Sequence, residues 1–279
     1  MAKAANLVGE KAAPAAIDTA PADTKDTKAG DKAPERVEET PFEALASICS
    51  VLVIGLFILT FLAQNYVIPS GSMEKTLLVG DHLLVDRITI APGSKWMPLV
   101  HYREPKDGDI VVFLGPGQPD TNLVKRLIAS PGDRVHLTNG VVILNGVAQN
   151  EPYAALWPED TPYPYIDDFP NVSPNEANGV TSEWAVDLPN HIQGNDLVVP
   201  PGMYLMMGDH RHNSNDGRFW GFVPRANIIG RPLFNYWSFK TPDSQYEKTD
   251  LSDRLKWMGH VALHFFSDTR WSRTFHPVK

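Results

Sequence analysis

The 279 residues hold 43% hydrophobic and 21% charged side chains, enough for one large domain or two modest ones with a sizeable core, which excludes a chain disordered throughout. A formal charge of −8 leaves no net basic surface for a phosphate backbone, so nucleic acid is excluded as a partner. The single cysteine, Cys49, forms no intramolecular disulfide and has no second thiolate for a Cys-based metal site.

In chain order, residues 1–43 come first. Up to Thr40 they are dominated by Ala, Lys, Asp, Thr, Pro and Glu, with no aromatic residue. Such a segment buries too little apolar area to offset its ordering entropy and is expected to be a disordered arm. No charged residue occurs between Glu43 and Glu74. Within that gap ALASICSVLVIGLFILTFLA is long enough, at about 1.5 Å per helical residue, to cross a hydrocarbon core of about 30 Å. A transmembrane helix is expected over 44–66. A cleavable signal peptide would need a short basic leader and a shorter apolar stretch, whereas some forty mixed-charge residues precede this one. Lys28, Lys32 and Arg36 on the N-terminal side, against Lys75 on the other, place the N-terminus in the cytoplasm.

The remainder reads as β-rich, with no helical period of comparable length. LLVGDHLLVDRI, GDIVVFL, NLVKRLI, RVHL, GVVILNG, DLVVPPGMYLMMGD and IIGRPLFNYW are short runs of Val, Ile, Leu and aromatics bounded by turn residues. Asn139-Gly140 between RVHL and VVIL signals a two-residue hairpin. The expected divisions are a β-rich domain over 67–239, an irregular insertion at 151–196, and a C-terminal extension, 240–279, whose apolar run is too short to cross a bilayer.

Three segments carry chemistry-bearing side chains. In Ile68-Pro-Ser-Gly-Ser-Met-Glu-Lys-Thr-Leu77, Ser70 and Ser72 flank Gly71, whose backbone freedom lets a hydroxyl and an amide face one point; by composition alone this is equally a membrane-exit turn. A serine needs a base, and His82, His101, His136, His191, His210 and His212 stand in no triad motif. In Asn122-Leu-Val-Lys-Arg-Leu-Ile128, period two puts Lys125 with Leu123 and Leu127. Burial there would favour the neutral amine, a general base near pH 7, whereas an edge strand would leave Lys125 and Arg126 both solvated. In residues 207–224, Asp209 and Asp216 can pair with Arg211 and Arg218, and Ser214 can meet a nearby amine. A metal loop of Asp209, His210, His212 and Asp216 competes, but the interleaved arginines would repel a cation.

Pro69-Ser-Gly-Ser-Met73 after a span, Gly80-Asp-His-Leu-Leu-Val-Asp-Arg87, Val124-Lys-Arg-Leu-Ile128 with Pro131-Gly-Asp133, Gly208-Asp-His-Arg211, Ser214-x-Asp216 and Arg218-x-Trp-Gly-Phe-Val-Pro224 occur in that order. As an ordered set, over roughly 45–237, they resemble bacterial type I signal peptidase, the serine-lysine dyad family S26. The resemblance implies a mainly antiparallel β catalytic domain behind one transmembrane helix, and a membrane-anchored serine endopeptidase that cleaves N-terminal signal peptides from exported preproteins. By that resemblance Ser72 is the nucleophile, Lys125 the general base, and Ser70 the hydroxyl that joins the Ser72 amide in the oxyanion hole. Ser214 orients the amine, Asp216 and Arg218 brace that region, and Ile68, Met73 and Leu77 line small apolar substrate pockets. It implies no metal or cofactor, the preprotein signal peptide and lipid bilayer as partners, proximity to the secretion translocon, and a single-pass protein of the bacterial inner membrane with its catalytic domain outside. Two positions depart from the family's usual pattern: Lys75 stands where proline is frequent, and His210 where asparagine is.

Overall fold

The computed structural model describes residues 40–90, 101–155 and 163–278; most of the expected disordered arm lies outside the described residues. Chain contacts separate two compact units, 1–47 and 48–279. In the first, the described residues are the start of a helix that Glu43 caps through Thr40, its carboxylate accepting from the Thr40 backbone N–H at 2.8 Å and hydroxyl at 2.9 Å.

That helix, α1 (Pro41–Phe57), continues through a π-helical turn, Ile58–Leu62. Together they give 22 residues of mean hydropathy 2.7, none of them buried, long and apolar enough to cross a membrane. The span ends earlier than expected. Residues 63–66 belong to a strand instead, because Gln64 and Asn65 put polar groups where a hydrocarbon core would not accept them and a neighbouring strand satisfies the backbone.

The described strands are β1 (Ala63–Val67), β2 (Asp81–Asp86), β3 (Ile110–Gly115), β4 (Gln118–Ala129), β5 (Arg134–Thr138), β6 (Val141–Leu144), β7 (Val147–Ala148), β8 (Ile192–Gln193), β9 (Asp196–Val198), β10 (Met203–Met207), β11 (Val223–Pro224), β12 (Ile228–Ser238) and β13 (His276–Pro277). An eight-stranded sheet runs β1-β2-β12-β3-β4-β10-β11, with β13 added to β12; a five-stranded sheet runs β7-β6-β5-β9-β8. All the pairings within them are antiparallel. β12 joins the halves of the large sheet by pairing with β3 through Ile228 and Gly230 and then with β2 from Arg231 onward. Gly230 is required at this crossing, since a Cβ there would fall 2.2 Å from the Asp86 carbonyl.

Asn139 and Gly140 both take positive φ, 49° and 77°, the signature of a type I′ hairpin. Asn145-Gly146 repeats this at 51° and 80°, joining β6 to β7, a signal of the same kind that the sequence reading passed over.

The region 151–196 is less irregular than its composition suggests. It contributes α2 (Pro164–Asp167), α3 (Ser182–Asp187) and β8, and its Tyr165, Ile166, Phe169, Trp184 and Leu188 are buried in one core with Val135, Leu197 and Leu205. A short helix, α4 (Gly217–Trp220), precedes β11. The C-terminal extension holds a helix, α5 (Leu251–Asp268), kinked at His264, that the expectation of a β-rich remainder did not contain.

Candidate active site

Ile68 leaves β1, Ser70 is extended, and Gly71–Met73 form one 3₁₀ turn carrying Ser72. The turn is fastened from both sides. Ile68, Met73 and Leu77 are buried in an apolar cluster with Leu83, Val85, Ile110 and Val112, and the Ser72 carbonyl accepts from the His210 backbone N–H at 3.1 Å. The loop closes where Ile68 and Asp81 pair through their backbones at 2.9 Å.

β4 lies between β3 and β10, so it is an inner strand and the edge-strand reading fails. Lys125, opposite Val111, is 4% exposed and its Nζ is 2.5 Å from Ser72 Oγ. As an ammonium it donates to that oxygen; as an amine it accepts the hydroxyl proton. Burial lowers its pKa from 10.5 to about 8, against the opposing pull of the Asp216 carboxylate.

Arg126 faces the other way. Its Nε and Nη2 donate to Asp209 at 2.8 and 2.7 Å, and its Nη1 donates to the Gly108 carbonyl at 2.7 Å. Thr76 donates to the same carboxylate at 2.5 Å, and the Tyr153 ring covers the guanidinium, 3.7 Å from its centroid. The carboxylate expected on Arg211 is therefore on Arg126, and Arg211 instead pairs with Glu151 at 2.6 Å. The expected Asp216–Arg218 pair is present: Arg218 donates through Nε and Nη2 at 2.9 and 2.7 Å, both residues fully buried. Asp216 also accepts from the Gly208 N–H at 2.9 Å, and Arg218 and neighbouring donors hold its pKa below the ordinary carboxylate value although burial pushes it up. With Asp209 and Asp216 each held by an arginine, the competing metal loop loses both carboxylates.

Ser70 is exposed and lines one cavity of about 80 Å³ with Ser72, Ile68, Met73 and Lys125. Leu77 does not reach it. Leu77, in the same buried cluster as Ile68 and Met73, borders a second cavity of about 370 Å³ with Lys75, Tyr153, Arg273 and His276. Ser214 is buried, but among the described residues its hydroxyl has no hydrogen-bond partner. It packs on Gly208, where a Cβ would lie 2.2 Å from Ser214 Oγ and 2.5 Å from the Ser72 carbonyl oxygen. A residue larger than glycine would thus push two candidate groups apart.

His136, His191 and His212 pair with Asp196, Asp187 and Asp167, and His82 lies tilted against Trp237 at 4.7 Å. Lys75 is a lysine at φ 85°, held by donation from Nζ to the Ala154 carbonyl at 2.8 Å. The Arg126–Asp209–Thr76 cluster, Gly208 and this lysine strap are the parts sequence reasoning missed. Arg126 was visible as a cation; its partner lies 83 residues away and carries no local signal.

The sequence model of the family described as "Signal peptidase, peptidase S26" matches residues 42–237. Signal peptidase I of Aquifex aeolicus is 32% identical over 229 residues, 72% of this chain and 86% of that protein. Signal peptidase I of Leptolyngbya laminosa is 34% identical over 202 residues, covering 70% and 79%. A crystal structure of a signal peptidase I from Enterococcus faecalis matches with 29% identity and a TM-score of 0.30, over 46% of this chain and 97% of that one.

Proposed function

The chain belongs to the signal peptidase family, peptidase S26, and from that premise we propose that it works through Ser72 as nucleophile and Lys125 as general base. It is a serine endopeptidase that cleaves signal peptides. The observation that carries the dyad is the 2.5 Å approach of Lys125 Nζ to Ser72 Oγ at a buried lysine whose pKa is lowered to about 8. An amine at that pKa is substantially neutral near pH 8 and takes the Ser72 proton as Oγ attacks the scissile carbonyl. The resulting oxyanion is held by the Ser72 amide and the Ser70 hydroxyl, and a donor of this kind is typically worth about 3 kcal/mol in the transition state. As the intermediate collapses, the Lys125 ammonium returns its proton to the departing amine nitrogen. Lys125 then takes a proton from water, which attacks the ester carbonyl, and the ammonium returns that proton to Ser72 Oγ as the ester bond breaks.

The cavity of about 80 Å³ beside Ser70 and Ser72 has room for a side chain no larger than a few carbons, which suits small residues before the cut, with Ile68 and Met73 as its apolar wall. The substrate adds in extended form alongside β1. Asp216 and Arg218 brace the loop that carries Ser214, and Ser214 steadies the amine. The N-terminus is cytoplasmic, α1 is the single anchor, and the domain over 67–239 works on the outer side of the inner membrane, near the secretion translocon. Lys28, Lys32 and Arg36 support that orientation. Incubating the purified full chain with a preprotein and sequencing the new N-terminus tests the reading. Release of a mature terminus by the wild type and none by Ser72→Ala is expected; equal release by both would overturn it.

A further inference from the structure

Helix α5 lies beyond residue 237, where the family match stops. It is fixed to the domain along one edge. Trp257 meets Phe239 edge-on at 5.8 Å, Phe265 stacks on Trp237 at 5.9 Å, and the helix end is tied down where the Trp237 indole donates to Thr269 at 3.1 Å.

The next face around the helix is bare. Leu251, Leu255, Met258 and Ala262 follow one another at spacings of four, three and four residues, a single stripe along the helix up to a bend at His264, and Phe266 stands just beyond the bend. Leu251, Leu255, Met258 and Phe266 are 73%, 59%, 66% and 79% exposed. Asp253, Lys256, His260, His264 and Ser267 occupy the opposite side. The stripe runs into an apolar groove of about 630 Å³ between α5 and the sheet, floored by Trp237 and Phe239 and reaching Val67. Trp271 and Phe275, 53% and 75% exposed, extend the apolar surface past the helix end.

We propose that α5 lies in the membrane–water interface, its Leu251–Ala262 stripe, with Phe266, seated among the lipids of the bilayer that α1 crosses. Chain continuity selects lipid as the occupant. Val67, at the groove, is the last residue of β1, and β1 begins one residue after the span ends at Leu62. Five strand residues extend at most about 17 Å, so the groove cannot be far from the headgroups. Composition agrees with that placement. Residues 240–279 hold seven Lys and Arg against five Asp and Glu in a chain of net charge −8, and exposed Trp and Phe on an amphipathic helix are the composition of an interfacial element. The charged side excludes a second crossing, so the helix lies in the plane. Held this way at two places, α1 and α5, the catalytic domain would be restrained in tilt as well as tethered.

The test uses the full chain in vesicles of phosphatidylcholine and phosphatidylglycerol. A polarity-sensitive fluorophore is attached to single cysteines in a Cys49→Ser background, at Met258→Cys or Phe266→Cys on the stripe and at Asp253→Cys or Lys256→Cys opposite. The native Cys49, labelled alone, reports separately whether α1 is inserted. Stripe probes should emit to the blue and be quenched by lipid-borne quenchers at least about twofold more strongly than the opposite pair, which should answer to aqueous iodide. Equal, weak lipid quenching on both faces, with Cys49 well quenched, would overturn the proposal while leaving the anchor intact. Stripe probes shielded from both quenchers until the protein is diluted in lipid would overturn it in favour of a second copy on the helix.

Discussion

Lys125 and Arg126 are consecutive residues of β4, both nearly out of solvent, and they differ both in side-chain chemistry and in surroundings. Arg126 has a carboxylate in bidentate contact, a carbonyl and an aromatic face. Lys125 has a serine hydroxyl at 2.5 Å and apolar neighbours, and the carboxylate that acts on it most, Asp216, is already held by Arg218. A guanidinium keeps its proton in either setting, and with a dedicated anion it fixes geometry; a buried lysine without one loses its proton easily and can serve as a base. The two faces of one strand thus divide between structure and chemistry, and substitutions on each side should separate the two.

The largest effect belongs to the Lys125 face. Ser72→Ala and Lys125→Ala should each lower kcat/KM on the order of 10⁴-fold or more, while thermal unfolding shows both variants folded. Lys125→Arg should not restore activity, because a guanidinium keeps its proton. Substantial cleavage by Lys125→Ala would mean that another group is the base.

Across the strand, Arg126→Met should do the reverse. It leaves Asp209 buried and uncompensated, and losing one partner of such a pair costs about 3–5 kcal/mol. Denaturant unfolding should read that loss, and the variant should keep measurable cleavage where Lys125→Ala does not. A variant as stable as wild type would show that the Arg126–Asp209 contact is dispensable and would dissolve the contrast.

The contrast was half legible in the sequence. Period two put Lys125 with Leu123 and Leu127, but only the inner position of β4 between β3 and β10 buries both of its faces, and inner strands are assigned by long-range pairing. Asp209 was expected on its near neighbour Arg211; the fold gave it to Arg126 and supplied Glu151 to Arg211 from the insertion. β1 was hidden because its residues prolong an apolar run, with Gln64 and Asn65 the only polar marks. α5 could have been found. Its stripe at Leu251, Leu255, Met258, Ala262 and Phe266 is a plain helical period, obscured by Gly259 and by the histidines among its apolar residues.

Ser70→Ala tests the pocket that Lys125 serves. Loss of one hydroxyl donor to the oxyanion should lower kcat on the order of 10²-fold to 10³-fold with KM little changed. An unchanged kcat with a raised KM would place Ser70 in ground-state binding.

The unpartnered cation also carries a stability cost with a definite sign. In the unfolded chain Lys125 titrates near 10.5, and in the fold near 8, so below pH 8 the unfolded state binds its proton more tightly and folding is opposed. Between those values the penalty fades as pH rises, and above 10.5 it is gone. Its full size, from the shift, is roughly 3 kcal/mol. Lys125→Met should therefore be inactive yet more stable than wild type at pH 7, the advantage shrinking as pH climbs through that window. The rate should rise with pH through about 8 and then level. A rate that rises instead near the ordinary histidine value of about 6.5 would assign the base to a histidine.

The smallest expected effect is at Ser214, and it separates a positioning role from a packing one. Its buried hydroxyl makes no hydrogen bond among the described residues, so Ser214→Ala removes a desolvated polar group without breaking a contact, and the melting temperature should hold or rise slightly. A hydroxyl kept unpaired at that cost, against Gly208 and close to the Ser72 carbonyl, is explained if it meets the Lys125 amine as the ammonium forms; catalytic hydrogen bonds often tighten only in the reacting complex. The variant should then lose kcat by about tenfold, equivalent to about 1.4 kcal/mol, with the pH midpoint near 8 little moved, because in the resting state the amine's pKa is set by burial and by Asp216. Unaltered kcat together with a lowered melting temperature would make Ser214 a packing residue, and the bracing of Lys125 would then have to come from the strand alone.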